Sequence, residues 1–429
     1  MTHIKVDNIF IEYTTHVTHI KALKYYTKSL DMRLAMYGAE ATHAHIAASY
    51  NNIGLVYHNM GEYSKALEYY TKSLDMMLAV HGSEATHADI AASYNNIGSV
   101  YGKMGEYSKA LNYYTKSLEM KLAVYGAEAT HADIAASYSN IGSVYCNMGE
   151  YSKALEYHTK SLDMGLAVYG AEATHADIAD SYNNIGNVYD KMGEYSKALE
   201  YYTKSLDMQL AVYGTEATHA HIASSYNNIG LVYYNMGENS KALEYYTKSL
   251  DMRLAVYGAE ATHADIAVSY NNIGSVYDNM GEYSKALEYH TKSLDMELAV
   301  YGAEATHADI ATSYNNIGNV HSNMGEHSKA LEYYTKSLDM RLAVYGAEAT
   351  HADIAISYTN IGIVNGSMGE YSKALEYYTK SLDMMLAVYG AEATHAHIAT
   401  SYKNIGNVCY KMGEYSKALE YLLKATSIS

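Results

Sequence analysis

The chain has 429 residues and a formal net charge of −17, with no proline, no tryptophan and one phenylalanine against 50 tyrosines and 22 methionines. About half of the residues are apolar, which argues against disorder, and the acidic balance argues against nucleic acid, whose phosphates need Lys/Arg patches. No apolar run is long enough to span a bilayer. Two cysteines, Cys146 and Cys409, are too few for a disulfide framework, and Met1-Thr2-His3-Ile4-Lys5 lacks a signal peptide's apolar core, so a cytosolic address is expected.

Residues 1–18 carry Asn8-Ile9-Phe10 where later copies read Asn-Ile-Gly, and Thr14 to Thr18 where later copies have a glycine turn. They read as a decayed first helix, 1–42 as a degenerate first repeat, and this segment is expected to be the least ordered. From residue 43 to 414 one phrase, close to SYNNIGxVYxxMGEYSKALEYYTKSLDM, returns every 44 residues. Tyr50, Tyr94, Tyr138, Tyr182, Tyr226, Tyr270, Tyr314, Tyr358 and Tyr402 head its copies. The spacing never slips, so a single array over 1–429 is expected, closed by a terminal helix over 415–429. Such self-similarity marks a repeat architecture.

Each copy predicts two helices. In the copy at 87–126, helix A runs from about His87 to Lys103 and Met104-Gly105-Glu106 turns the chain. Helix B runs from about Tyr107 to Tyr125, where Gly126 ends it. Thr130 of the next copy reads as an N-cap, with Asp133 three residues on as the acid of a capping box. Helical projection puts Tyr94, Ile97, Gly98 and Tyr101 on one face of helix A, broadened by Val100 and Met104. Tyr107, Ala110, Leu111, Tyr114 and Leu118 share a face of helix B. Small residues at Gly98 and Ala110 let the helices approach, with Tyr94, Tyr101 and Tyr114 filling the space around them. Buried tyrosine hydroxyls each need a partner. Acids and lysines such as Glu68 and Lys72 fall on the outer face as i,i+4 pairs. One hairpin cannot bury its apolar faces alone, so stability must come from stacking on neighbours. The prediction is all-α, a solenoid of antiparallel helical hairpins.

These small and large positions, Tyr94, Ile97, Gly98, Tyr101, Gly105, Tyr107, Ala110 and Tyr114, resemble the tetratricopeptide repeat pattern in register over residues 43–423. The long helix B, the phrase Gly126-Ala127-Glu128 and then His131-Ala132-Asp133 look like the kinesin light chain subtype of that repeat. The inserted Ala-Thr before each His, and Ala in place of proline after it, depart from the subtype. Residues 1–18 are too short for the heptad coiled coil by which kinesin light chains bind their motor. The resemblance implies a right-handed superhelix whose concave groove, lined by helix A, binds proteins or peptides.

Asparagine is a mediocre helix former, so paired asparagines in mid-helix invite explanation. Asn52, Asn96, Asn140, Asn184, Asn228, Asn272, Asn316, Asn360 and Asn404 occur in every copy. Asn51, Asn95, Asn183, Asn227, Asn271 and Asn315 precede most of them. The family uses the second asparagine to hold a peptide's backbone; it could equally bond the neighbouring hairpin. The first sits nearer a stripe of helix A that varies from copy to copy and is the better ligand candidate. In mid-array this stripe offers Asp180, Asn187 and Asp190, then Tyr234, then Asp278, which would suit a basic side chain beside an apolar anchor. On helix B the position occupied by Arg33, Met77, Lys121, Gly165, Gln209, Arg253, Glu297, Arg341 and Met385 varies as much. Projection places it on the solvent side, so variation alone marks exposure and not binding.

The histidine row, His43 to His395, falls at helix starts. Its members lie a hairpin apart, too far to share one metal, and pairs such as His43/His45 point apart. No cofactor or metal is expected, no nucleotide or hydrolase motif occurs, and the repeated acids never converge with a base in one place, so catalysis is not expected. The expected function is a protein- or peptide-binding scaffold whose negative charge favours a basic ligand. Alternatives are a cargo adaptor of a microtubule motor and a self-assembling array. The last follows from the C-terminal helix, whose Tyr421-Leu422-Leu423 lacks the polar cap that solenoids need.

Overall fold

Two glycines per copy dictate where helices stop. Gly105 and Gly126 adopt φ of 76° and 103°, a region that side-chain-bearing residues avoid, and their counterparts do the same along the chain. Between them nothing interrupts helix, because proline is absent. The computed structural model describes residues 4–215, 217–346, 348–390 and 396–428, with side chains throughout except at 4–19, 389, 396 and 428. Among the described residues every regular element is α-helix, 19 in all.

The chain forms two compact units, Met1–Glu238 and Asn239–Ser429. The first holds α1 (Ile4–Tyr37), α2 (Ala44–Asn59), α3 (Tyr63–His81), α4 (Ala88–Lys103), α5 (Tyr107–Tyr125), α6 (Ala132–Asn147), α7 (Tyr151–Tyr169), α8 (Ala176–Lys191), α9 (Tyr195–Tyr213) and α10 (Ala220–Asn235). The second holds α11 (Asn239–Tyr257), α12 (Ala264–Asn279), α13 (Tyr283–Tyr301), α14 (Ala308–Asn323), α15 (His327–Tyr345), α16 (Ala352–Ser367), α17 (Tyr371–Tyr389), α18 (Ala396–Lys411) and α19 (Tyr415–Ile428). Within each unit, helices pack in sequence order: α2 on α3, α3 on α4, and so on, as a stack of hairpins whose cores are continuous with those of their neighbours.

From α2 to α17, helix A of each hairpin spans 16 residues and helix B 19, as in α4 and α5. Ile90, Ile97, Val100 and Ala110 are fully or almost fully buried, and Tyr114 and Leu118 are buried beside them. Gly98 has a narrower reason than helix approach in general. A Cβ there would stand 3.0 Å from the Tyr114 ring, so the glycine is the recess into which that ring fits. Tyr113, which the face projection omits, lies between Tyr94 and Tyr101, with ring centroids 6.2 and 5.5 Å away. Met104, counted with the core face, is 39% exposed at the turn. A latch that the periodicity did not reveal ties the two helices within a hairpin: Ser117 Oγ donates to the Ala91 carbonyl over 2.8 Å, and Ser73 does the same to Ala47 over 2.9 Å.

Three expectations are corrected. First, α1 is continuous through Thr14 to Thr18, so this segment forms no turn and no hairpin of its own. Thr and Val can remain helical where no glycine offers a positive φ. The Phe10 side chain lies outside the described residues, as does His395. Second, the N-cap is the histidine and not the threonine. His131 is extended at φ −145° and ψ 137°, and its Nδ1 accepts from the Asp133 amide over 3.1 Å. The Tyr125 ring stacks on His131 at 3.8 Å, and its hydroxyl donates to Asp133 Oδ2 over 2.9 Å. The His-x-Asp phrase is therefore a helix-start device, and it repeats with Tyr169, His175 and Asp177. Third, the varying position of helix B is not on the solvent side. Met77, Gln209, Arg253, Glu297, Arg341 and Met385 are all buried. Helix B is covered on two sides, by its own helix A and by the next one, so projection against a single partner misplaced this residue.

Candidate functional site

The second asparagine of helix A immediately precedes a core isoleucine, as Asn96 precedes Ile97, and reaches sideways to the preceding hairpin. In the first unit Asn96 donates through Nδ2 to Asn51 Oδ1 over 2.8 Å, Asn140 to Asn95 over 2.9 Å, and Asn228 to Asn183 over 2.8 Å. Where serine replaces the first asparagine, Asn184 donates to Ser139 Oγ over 3.1 Å. In the second unit Asn316 donates to Asn271 and Asn360 to Asn315, both over 2.8 Å. The two rows thus form one ladder, with the first asparagine as acceptor and the second as donor. All of these amides are half-buried, except Asn315, which is buried. The bond uses one polar atom of each amide. Asn227, Asn272 and Tyr234 also have partners. Asn52 and Asn404 occupy the same half-buried position.

The stripe beside the ladder is open at Asn187 and Asp180 and half-buried at Asp190 and Asp278. Its acids are tied to the following helix A. Asn235 Nδ2 donates to Asp190 Oδ1 over 3.2 Å, Asn323 Nδ2 donates to Asp278 Oδ1 over 3.0 Å, and the His221 ring lies 3.7 Å from Asp180. Burial pushes the Asp180 and Asp190 carboxyls above the usual range. Asp278 belongs to the second unit and the others to the first. Each unit therefore presents a face of paired amides with a row of copy-specific side chains alongside.

The buried position of helix B is the feature that sequence reasoning missed. Arg253 extends from α11 into a slot against α12 and donates through one nitrogen to the Asp265 carbonyl and Ser269 Oγ, over 2.6 and 2.7 Å. Arg341 repeats this with Asp353 and Ser357, both over 2.7 Å, and Lys121 with Asp133 and Ser137, over 3.0 and 2.8 Å. Gln209 Oε1 instead accepts from Ser225 over 2.9 Å. The signal was present in the sequence, since Met, Lys, Gln and Arg share a length that spans such a slot.

Among the described residues, one group of side chains could hold a metal: His81, His87 and Asp89, whose ligand atoms lie within 4.8 Å of one another. His81 stands where other copies have the tyrosine of the helix-start device, and it stacks on His87 at 3.8 Å with 19° between planes. His87 Nδ1 already accepts from the Asp89 amide. Near-parallel rings do not aim two in-plane lone pairs at one point, and the arrangement is the stacked cap of the neighbouring copies. Cys146 and Cys409 are buried thiols, each pushed up by burial away from the reactive thiolate. No helix among the described residues is long and apolar enough to cross a membrane.

A family model described as tetratricopeptide repeat matches residues 18–79, 45–123, 133–211, 221–299, 265–343 and 309–387, and a second of the same description matches 399–429. No curated protein matches the sequence. Among solved structures, the apo form of the quorum sensor NprR from B. thuringiensis is 17% identical, with a TM-score of 0.57 over 87% of this chain and 99% of that one. The apo form of RapI is 15% identical, with a TM-score of 0.55 over 89% and 97%. A putative kinesin light chain with nearly identical repeats from Podosopora anserina is 15% identical, with a TM-score of 0.42 over 50% and 97%. The first two are likenesses of fold, and the third is too loose to carry an argument.

Proposed function

This chain belongs to the tetratricopeptide repeat family, and from that premise we propose that it is a non-catalytic scaffold that binds a protein or peptide along its helix-A face. The observation that supports this most is the amide ladder. Each rung leaves one amide atom per asparagine outside the rung bond, at a fixed repeat spacing and beside side chains that differ from copy to copy. Main-chain groups of an extended segment can bond such a row whatever their sequence, while the variable row selects side chains. The net charge of −17, with Asp180 and Asp190 near the ladder, favours a basic ligand. A cytosolic location goes with this reading, as two unpaired buried thiols suit a reducing compartment.

The test is selection of peptides from a displayed random library on the full chain, followed by affinity measurement with Asn183, Asn228, Asn95 and Asn140 replaced by alanine. Selected peptides that lose tenfold or more support the reading. Peptides indifferent to all four substitutions, or a library that yields none, overturn it.

The narrower form, a kinesin light chain-like cargo adaptor, draws on the Gly-Ala-Glu and His-Ala-Asp phrases. Residues 1–18 are too short for the motor-binding coiled coil, so this form needs a partner that supplies one and predicts that this chain is captured from lysate together with kinesin heavy chain; capture of partners without heavy chain removes it. Self-association draws on α19, whose Tyr415, Leu419 and Leu423 are 65%, 61% and 60% exposed in one row. Under this reading, Leu419→Glu with Leu423→Glu shifts the mass in light scattering, and a monomer before and after excludes it.

A further inference from the structure

The slot that Arg253 and Arg341 fill from their own helix is vacant in one hairpin pair. At Gly165 of α7 no side chain enters, and a cavity of about 190 Å³ opens against α8. Its lining includes Gly165, Asp177 and Ser181, which stand 12 and 16 residues after the glycine, as the guanidinium's acceptors Asp265 and Ser269 stand after Arg253. Ser181 is buried, so the inner end of the cavity is the same polar pair that binds a cation elsewhere in this chain. Ala136 and Asp180 line the outer end and are exposed, so the cavity opens on the helix-A face beside Asn184.

Two single-copy departures meet here. Gly165 is the only glycine among the nine residues of its position, and Asp180 is the only acid among the nine of its own, the others being Ala, Ser, Val, Thr or Ile. They come from different helices and line one cavity. Loss of the resident side chain and gain of a carboxylate at the mouth both change the slot in the same sense, towards a cation supplied from outside. Glycine is also a poor helix former, by about 1 kcal/mol relative to alanine, and no packing demands it. A Cβ at Gly165 would lie 3.8 Å from Ile178, in ordinary contact.

We propose that this cavity reads an arginine of the bound polypeptide, whose guanidinium enters beside Asp180 and takes the position that Arg253 and Arg341 occupy in their own slots. The inference rests on the peptide-binding reading above and names one subsite of it. Guanidinium is favoured over ammonium because its planar donors serve the Asp177 carbonyl, Ser181 Oγ and the Asp180 carboxylate together, and because it is more weakly hydrated. Lys121 shows that an ammonium also fits such a slot, so a lysine ligand should bind, more weakly.

The experiment uses the full chain and carboxyfluorescein-Ala-Ala-Arg-Ala-Ala-NH2, with the label as the N-terminal cap, and with citrulline and lysine versions as neutral isostere and alternative cation. Fluorescence anisotropy should show the arginine peptide binding at least tenfold tighter than the citrulline peptide, equivalent to about 1.4 kcal/mol. Gly165→Arg, which plugs the slot from within as Arg253 does, should abolish the preference while leaving the melting temperature unchanged or higher. Gly165→Met, which supplies the side chain that Met77 and Met385 place in their slots, should abolish it too and covers the case in which the arginine variant does not fold. Asp180→Asn should weaken arginine binding alone. Equal affinity for arginine and citrulline, a preference that survives Gly165→Arg or Gly165→Met, or no saturable binding of the arginine peptide overturns the inference. Library-selected peptides that bind wild type and Gly165→Arg alike would leave the scaffold reading intact while this subsite falls; a library that yields none removes the reading itself.

Discussion

Asn96 donates from Nδ2 to Oδ1 of Asn51 over 2.8 Å, across 45 residues of sequence, and this bond recurs wherever two consecutive copies carry the pair within one unit. It settles which atoms of the ladder the protein itself uses, and so what its removal should do. Replacing Asn96 by alanine loses a hydrogen bond of about 0.5–1.5 kcal/mol and regains up to about 0.7 kcal/mol of helix propensity. Asn51 is half-buried, so water can reach its oxygen. The net loss should stay below about 1 kcal/mol by urea denaturation, and Asn51→Ala with Asn96→Ala together should be close to neutral. A loss above about 2 kcal/mol would assign these amides to hairpin stacking and withdraw them from ligand binding.

Glycines at two different positions of helix A should respond oppositely to alanine according to what a Cβ would touch. At Gly186 of α8 it would meet the buried Tyr202 ring at 2.8 Å, a distance that forces the ring to move. Overpacking of that kind costs about 1–3 kcal/mol, more than the helix propensity gained. At Gly102 of α4 the nearest atom is Ala110 Cβ at 3.9 Å, so Gly102→Ala should stabilise by up to about 1 kcal/mol. Denaturation of the two variants under one condition checks the sign of each. Destabilisation by both would mean that Gly102 is also a packing glycine.

The contrast between what the sequence shows and what it hides follows from how many neighbours a helix has. Helix boundaries, turns and the face of Tyr94, Ile97 and Tyr114 were legible because a 3.6-residue period and positive-φ glycines are local signals. The His131 cap was hidden because threonine is the commoner cap, and only the bond from the Asp133 amide to His131 Nδ1, with Tyr125 stacked on that ring, distinguishes them. Burial of Arg253 was hidden because it depends on the next copy: its acceptors Asp265 and Ser269 lie on α12, outside any single-helix projection. The asparagine pairs were legible as an anomaly but not as a ladder, since spacing alone cannot say which copy an amide addresses.

Glu297 occupies the same kind of slot as Arg253 and should be a source of pH-dependent instability. It is 5% exposed, Oε1 accepts from Ser293 over 3.3 Å, and Oε2 has no partner. Burial raises its carboxyl to about 7. An acid whose folded pKa lies above its unfolded value is held best when protonated. Its contribution is present below about pH 4.5 and is lost as pH rises through about 7, an effect on the order of 3 kcal/mol. Glu297→Arg should place a guanidinium against the Asp309 carbonyl and Ser313, as Arg253 and Arg341 do in their slots. Stability at pH 8 should rise by an amount of that order, with the trend between pH 4.5 and 7 removed. An unchanged pH profile would show that the carboxylate is solvated.

The buried histidines predict the opposite slope in an overlapping window. His158 and His290 take the place of the tyrosine that rests on the packing glycine, each 2% exposed, and burial lowers both to about 4. The unfolded chain therefore binds their protons first as pH falls. Their contribution is complete above about pH 6.5 and is lost progressively towards pH 4, on the order of 3 kcal/mol each. Between pH 6.5 and 4.5 this opposes Glu297, so the measurement belongs in the Glu297→Arg background. Repeat arrays open locally, so the readout is hydrogen exchange of α7 and α13 and not a single global transition. Exchange in both helices should accelerate as pH drops below 6.5, after correction for the intrinsic rate. His158→Tyr and His290→Tyr should each flatten the response of its own helix only, because the tyrosine ring fits the same recess at Gly142 or Gly274 and carries no charge there. Equal acceleration in the tyrosine variants would show that the acid sensitivity comes from elsewhere in the stack.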